Sequence, residues 1–162
     1  MKTVTLVRHG KSSWEYDVSD IERPLKSRGE KDAKLVANQF IMSNSVPKKI
    51  FSSPAIRALE TCKIFIEAFN LSENFIEIDD SLYDFGGDNV VNFLKNLPNE
   101  IDEIMIFGHN HAFTSITNIF GDKFIDNLPT SGLVKLNFEI SNWQDLKQGH
   151  TEFIIIPREL KK

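Results

Sequence analysis

Two arginines and two histidines fall where short apolar runs end. Arg8 and His9 close the run that contains Val4, Leu6 and Val7, a β-rich stretch broken by Gly10 and followed by the polar Lys11-Ser12-Ser13. Arg57 stands in "FSSPAIRALET", just beyond a second run that ends near Ser52, and His109 follows Gly108 in "IMIFGHNHAF" at the end of a third. These side chains share an aptitude for phosphoryl chemistry. Arginine presents a planar, permanently charged fork that grips phosphate oxygens in pairs. Neutral imidazole is present near pH 7 as a nucleophile at phosphorus and gives a labile phosphoramidate. Flanking cations would keep His9 neutral by disfavouring its protonated form. A protonated His109 would stabilise the equatorial oxygens of a transferring group, and a helix N-terminus at Arg57 would add backbone donors.

For these groups to meet, the elements that carry them must end at one edge. Strand-like runs recur at 3–8, 49–52, 75–79, 103–107, 133–138 and 151–156. Helical spacing separates several of them. In 29–43, Ala33, Val36, Ala37, Phe40 and Ile41 share a face. In 54–69 the stripe is Ala58, Cys62, Phe65 and Phe69, with Pro54 suited to the first helical position and Ser52 or Ser53 to the cap. Shorter helical patterns fall at 88–97 and 111–120. The alternation predicts a single α/β domain over 1–162, a three-layer sandwich with a mainly parallel central sheet and helices on both faces. The last two strands are expected to form an antiparallel extension. Parallel sheets bind ligands at the carboxyl ends of their strands, so Arg8, His9, Arg57 and His109 are expected around one point.

The bulk composition narrows the classes of partner. The 162 residues are 41% hydrophobic and 26% charged, as in an ordinary globular domain. A formal net charge of -4 suggests no general affinity for nucleic acid or for an anionic membrane, so an anion site must be a local concentration of positive charge. Cys62 is the only cysteine; it cannot form an intrachain disulfide and reads as a buried structural thiol in a reducing compartment. With no signal-like start, and no apolar run near the ~20 residues that cross a bilayer, the expected location is cytoplasmic. His109 and His111 lack the neighbouring cysteines or carboxylates of a metal site. No metal and no cofactor is predicted.

"LVRHGKSSW", "SSPAIRALET" and "FGHNHAF" together resemble the three signatures of the histidine phosphatase superfamily, the phosphoglycerate-mutase-like proteins. The short chain, with "ERPLKSRGEKDA", "SLYD" and "GHN", resembles the small SixA branch, the phosphohistidine phosphatases, and the likeness extends through "LPTSGLVKLNF" and "FIIIP". The resemblance implies that His9 is the nucleophile, transiently phosphorylated, and that Arg8, Arg57 and His109 complete a phosphate pocket. It also implies a proton donor at Asp84, although the family's usual residue there is the longer glutamate. A phosphoramidate leaving group needs less acid assistance than an alcohol, so Asp84 would matter for some substrates only. Ser12 and Ser13, with the amides around Gly10, are expected as secondary phosphate donors. Ser131 and Gly132 would approach the pocket with their backbone. Glu15 stands where many relatives carry asparagine and is kept out of the pocket, and the Arg23-Pro24-Leu25 and Arg28-Gly29 segments read as structural.

The function expected from this resemblance is a metal-independent phosphatase that takes phosphate from phosphohistidine on a partner protein, such as a histidine-phosphotransfer domain or phosphocarrier in signal transduction. Two alternatives stand beside it. One is a phosphomonoesterase acting on a small phosphorylated molecule; the other is a non-catalytic module of the same fold that binds phosphorylated partners.

Overall fold

The computed structural model describes residues 1–161 and shows a six-stranded sheet in the order β3-β2-β4-β1-β5-β6. The strands are β1 (Lys2–Arg8), β2 (Lys49–Ser52), β3 (Ile76–Ile78), β4 (Glu103–Gly108), β5 (Leu133–Phe138) and β6 (His150–Ile155). β3, β2, β4 and β1 pair in parallel. β5 runs antiparallel to β1, and β6 antiparallel to β5. The antiparallel extension expected at the end of the chain is therefore joined to the parallel sheet through β1.

Two-residue alternation along the central strands divides the core between two faces. Ile104 and Ile106 of β4, with Val4 and Leu6 of β1, pack toward α3 (Asp88–Lys95) and α4 (Ala112–Phe120), where Val90, Leu94, Phe113 and Ile116 meet them. Met105 and Phe107, with Val7 and Ile50, face the opposite way. They meet Ala33, Val36, Ala37 and Phe40 of α1 (Ser27–Ser43) and Cys62, Phe65 and Ile66 of α2 (Ile56–Ala68). Each Val, Leu, Ile, Phe or Met among them, fully buried, contributes roughly 1.5–3 kcal/mol. Helices thus cover both faces, as the periodicity predicts. Cys62 lies in this second core, where burial pushes its thiol pKa up, in keeping with an inert structural role.

One helix starts later than expected. α2 begins at Ile56, its N-cap is Ala55, and no side chain caps it. Ser53, read as a possible cap, accepts a bond from the Ala55 amide (3.2 Å) but also pairs with His109. It serves the junction of two strand ends rather than the helix.

β2, β4 and β1 are neighbours and parallel, and their register sets Arg8 beside Gly108 and Ser52 beside Phe107. With strands about 4.8 Å apart, the three chains that leave them emerge within roughly 10 Å at one sheet edge. No helix among the described residues is long and apolar enough to cross a membrane.

Candidate active site

The backbone at the end of β1 is held from both sides. The His9 amide donates to the Gly108 carbonyl (3.1 Å), the Arg8 amide to the Gly132 carbonyl (3.0 Å), and the Ser131 amide to the His9 carbonyl (3.0 Å). His9 therefore sits on a rigid platform made by β4 and the turn before β5, and Ser131 and Gly132 do approach through their backbone. The ring is 7% exposed. Its Nδ1 lies 2.7 Å from the Gly10 carbonyl oxygen. A carbonyl can only accept, so Nδ1 carries the hydrogen and Nε2 is left with its lone pair. Arg57 Nε donates toward that lone pair at 3.4 Å.

Charge and burial keep the imidazole neutral. Burial is the largest cause, and the positive charges of Arg57, Arg8 and Arg23 add to it, while the Gly10 carbonyl opposes them; the result is a pKa lowered to about 3. His109, fully buried with its ring centroid 5.3 Å from that of His9, is likewise lowered to about 3, first by burial and then by His9 and Arg57. In the free protein His109 is therefore neutral. A protonated His109, the form that would stabilise equatorial oxygens, needs an anion beside it to offset burial.

His109 Nε2 and Ser53 Oγ are 2.8 Å apart. When the serine hydroxyl donates to Nε2, Nδ1 carries a hydrogen that has no partner. Arg8 Nε and Ser131 Oγ are also buried without partners, while Arg8 Nη1 is anchored on the Leu128 carbonyl at 2.7 Å. Buried polar groups left unpaired are costly. Here three of them fall on residues at the sheet edge where β1, β4 and the turn before β5 meet, together with permanent positive charge, and the ligand chemistry that answers such a set is an oxyanion.

Arg57 leaves the first turn of α2 and is 1% exposed. Its outer edge is occupied by Asp20: Nη1 donates to the Asp20 carbonyl at 2.6 Å and Nη2 to Oδ2 at 3.0 Å. Tyr83 donates its hydroxyl to the same Oδ2 at 2.6 Å, and Arg23 reaches Oδ1 at 3.3 Å. Burial opposes ionisation of Asp20, but the bonds from Tyr83 and Arg57 and the charges of Arg57 and Arg23 prevail and bring its carboxyl down to about 2. Arg23 also donates to Ser12 Oγ (2.7 Å), and its guanidinium lies 3.5 Å from the centre of the Trp14 ring.

The structure thus brings Arg8, His9, Arg57 and His109 to one edge. It gives two other expected site residues different occupations. Ser12 is buried but uses its oxygen to hold Arg23. Asp84 accepts backbone amides from Gly86 (3.2 Å), Gly87 (3.0 Å), Asn89 (3.0 Å) and Val90 (3.1 Å), which organises the entry to α3. Oδ1 takes the Gly86 amide and Oδ2 the other three, so both oxygens are engaged at the helix entry. Ser13 accepts from the Glu15 amide (3.1 Å), and Glu15 is exposed.

Asp20, Arg23, Tyr83 and Ser53 were not expected at the site. The signals were the Asp-to-Arg spacing in "SDIERPL", which suits a turn closed by a side-chain pair, and a tyrosine beside the acid in "SLYD". Among the described residues, no three or more His, Cys, Asp or Glu side chains are grouped to hold a metal ion.

Comparison with known proteins gives one family and one architecture. The family model of the histidine phosphatase superfamily (branch 1) matches residues 4–88. An uncharacterised protein of Mycobacterium leprae (strain TN) is 25% identical over 167 residues, covering 94% of this chain and 100% of its own. A structure of the protein histidine phosphatase SixA complexed with tungstate superposes with a TM-score of 0.83 at 21% identity, covering 98% of this chain and 99% of that one. A phosphoserine phosphatase from Entamoeba histolytica, in complex with 3-phosphoglyceric acid, gives 0.68 at 17%, covering 99% and 100%. At such identities the two structural likenesses show the fold alone.

Proposed function

We propose that this chain, a phosphatase belonging to the histidine phosphatase superfamily, removes phosphate from phosphohistidine on a partner protein, without a metal ion, by way of a phosphoryl group carried on His9. The observation that carries the reading is the state of His9. It is buried, neutral, hydrogen-bonded at Nδ1 to the Gly10 carbonyl, and surrounded by Arg8, Arg57 and Arg23. A fixed lone pair inside a cationic pocket is what attack on a phosphoryl group requires.

His9 Nε2 attacks phosphorus while the substrate's P–N bond breaks, and the electron pair of that bond goes to the leaving imidazole nitrogen. The other ring nitrogen of the substrate carries a proton, so the leaving group departs as neutral imidazole without an acid from the enzyme. The His9 ring becomes electron-poor as its P–N bond forms, and the Gly10 carbonyl stabilises the hydrogen on Nδ1. Arg8, Arg57 and His109 hold the equatorial oxygens. Water then attacks phosphorus as the P–Nε2 bond breaks and its electron pair returns to Nε2. Both protons of the water leave on the phosphate, and His9, still carrying its Nδ1 hydrogen, is again neutral.

A macromolecular substrate is supported by the rim. The loops at this edge carry Trp14, 77% exposed, together with the exposed Tyr16 and Phe85. Aromatic side chains of this kind are enriched at protein interfaces. The likeness to a SixA solved with tungstate supports the same reading.

The test is phosphate release in excess EDTA by the wild type and His9→Ala, offered a phosphohistidine-bearing protein, phosphoramidate and an aryl phosphate. Turnover of the phosphohistidine protein by the wild type alone is expected. Preference for the aryl phosphate would favour a small-molecule phosphomonoesterase, and silence on all three would leave a phosphate-binding module.

A further inference from the structure

We infer that Asp20 is a positioning residue: it grips the outer edge of the Arg57 guanidinium so that the inner edge, Nε and the near hydrogen of Nη2, faces the phosphoryl group above His9. The inference deepens the proposed function and rests on its placing of the phosphoryl group at His9 Nε2.

A guanidinium offers two bidentate edges, and here they face different ways. The outer edge is closed by one residue acting twice, Nη1 on the Asp20 carbonyl and Nη2 on its carboxylate. The inner edge points to the nucleophile, with Nε 3.4 Å from His9 Nε2. Asp20 is itself held. It opens a 3₁₀ turn, Asp20–Glu22, in which its carbonyl also accepts the Arg23 amide at 3.2 Å. Its carboxylate is tied to Tyr83 and Arg23. Tyr83 in turn packs edge-on against the His109 ring, with centroids 5.3 Å apart. A long flexible side chain is thereby fixed in one rotamer by an anchor that does not compete for the edge facing the substrate.

Simple electrostatics predicts the reverse of positioning. An anion beside an anion-binding pocket weakens binding, so deleting Asp20 should tighten inorganic phosphate. If positioning dominates, the transition state should lose more than the ground state gains.

The experiment compares Asp20→Asn and Asp20→Ala in the wild-type and Arg57→Ala backgrounds. The kinetic readouts are kcat and KM on phosphoramidate; the binding readouts are calorimetric affinities for inorganic phosphate and for orthovanadate, which forms a five-coordinate mimic of the transition state. Asp20→Ala is expected to lower kcat by about 10- to 100-fold, leave KM unchanged or lower, and reduce the vanadate-to-phosphate affinity ratio by a similar factor. In the Arg57→Ala background the same change should alter kcat and the ratio by less than about twofold, because the residue acts through Arg57. Asp20→Asn keeps size and backbone and guards against a misfolded variant. An unchanged ratio, a rise in kcat, or equal losses in both backgrounds would overturn the inference. The vanadate arm needs no turnover, so a wild type that hydrolyses nothing would defeat the proposed function while a ratio shift still upheld the role of Asp20.

Discussion

His9 is hydrogen-bonded through Nδ1, at 2.7 Å, to the carbonyl of the next residue, Gly10. On the proposed mechanism this contact leaves Nε2 as the attacking nitrogen, and it predicts which phosphohistidine forms. Rapid quench at alkaline pH, where phosphohistidine survives, should trap phosphate on His9 Nε2, and the nitrogen isomer can be assigned by NMR. His9→Ala should trap none. Label on Nδ1, or label retained by the variant, would show that the nucleophile is a different atom.

Arg57 is buried at 1% exposure and donates toward His9 Nε2. Removing one preorganised donor to a developing oxyanion costs on the order of 3 kcal/mol. Arg57→Ala should therefore lower kcat by about 100-fold or more on every substrate the wild type turns over. A variant that keeps nearly full turnover would take Arg57 out of the chemistry.

Asp84 binds four backbone amides at the entry to α3. Asp84→Ala should destabilise the fold by about 1–2 kcal/mol, in the range measured for lost helix caps. Its effect on phosphoramidate hydrolysis should be under about threefold. Asp84→Asn keeps an accepting oxygen and should recover much of the stability. A large loss confined to ester substrates would instead restore Asp84 as a proton donor.

The residues gathered at the sheet edge were legible in the sequence because each follows an apolar run at a strand end, and parallel order sends those ends one way. Arg8, His9 and His109 are of this kind, and Arg57 opens the helix that leaves the end of β2. Asp20 and Tyr83 are not. Asp20 reaches Arg57 across 37 residues of chain, and Tyr83 reaches Asp20 across 63. A lone polar residue in a loop has no periodicity to reveal its partner. The start of α2 differs from the sequence expectation for a related reason, since Ser53 looks like a cap until β4 brings His109 to it. The pairing of β5 with β1 was equally hidden, because hydrophobic alternation reports burial and not the neighbouring strand.

The two site histidines predict an acid-sensitive fold. His9 and His109 are each lowered from 6.5 to about 3, by burial first. As pH falls below about 6.5 the unfolded chain takes up protons before the folded chain does, so stability present above that pH is lost progressively toward pH 3. Between about pH 7.5 and pH 5.5 each histidine should remove about 1.4 kcal/mol. Urea unfolding in phosphate-free buffer should show this fall, and His109→Gln should reduce its slope. A stability independent of pH across that interval would mean that the histidines are already solvated or charged in the folded state.

Gly29 of α1 and Gly10 after His9 touch through their backbones, and this contact predicts the effect of a single methyl group. A Cβ on Gly29 would lie 2.3 Å from the Lys11 carbonyl oxygen and 2.8 Å from the Lys11 nitrogen; one on Gly10 would lie 2.9 Å from the Gly29 oxygen. The same approach is fastened by the Lys26 amide on the Lys11 carbonyl at 2.9 Å. Backbone atoms cannot swing aside as a side-chain tip can, so Gly29→Ala must shift the segment that starts at Gly10, whose carbonyl holds His9 Nδ1. The helix gains from alanine in propensity, so a loss would come from the clash. Gly29→Ala is expected to cost about 1–3 kcal/mol of stability and at least about tenfold in kcat through misplacement of the imidazole. Lys34→Ala, on the exposed face of the same helix, should leave both unchanged within error or slightly stabilise the fold. A fully active Gly29→Ala of wild-type melting temperature would show that α1 and the loop after His9 do not depend on this close approach.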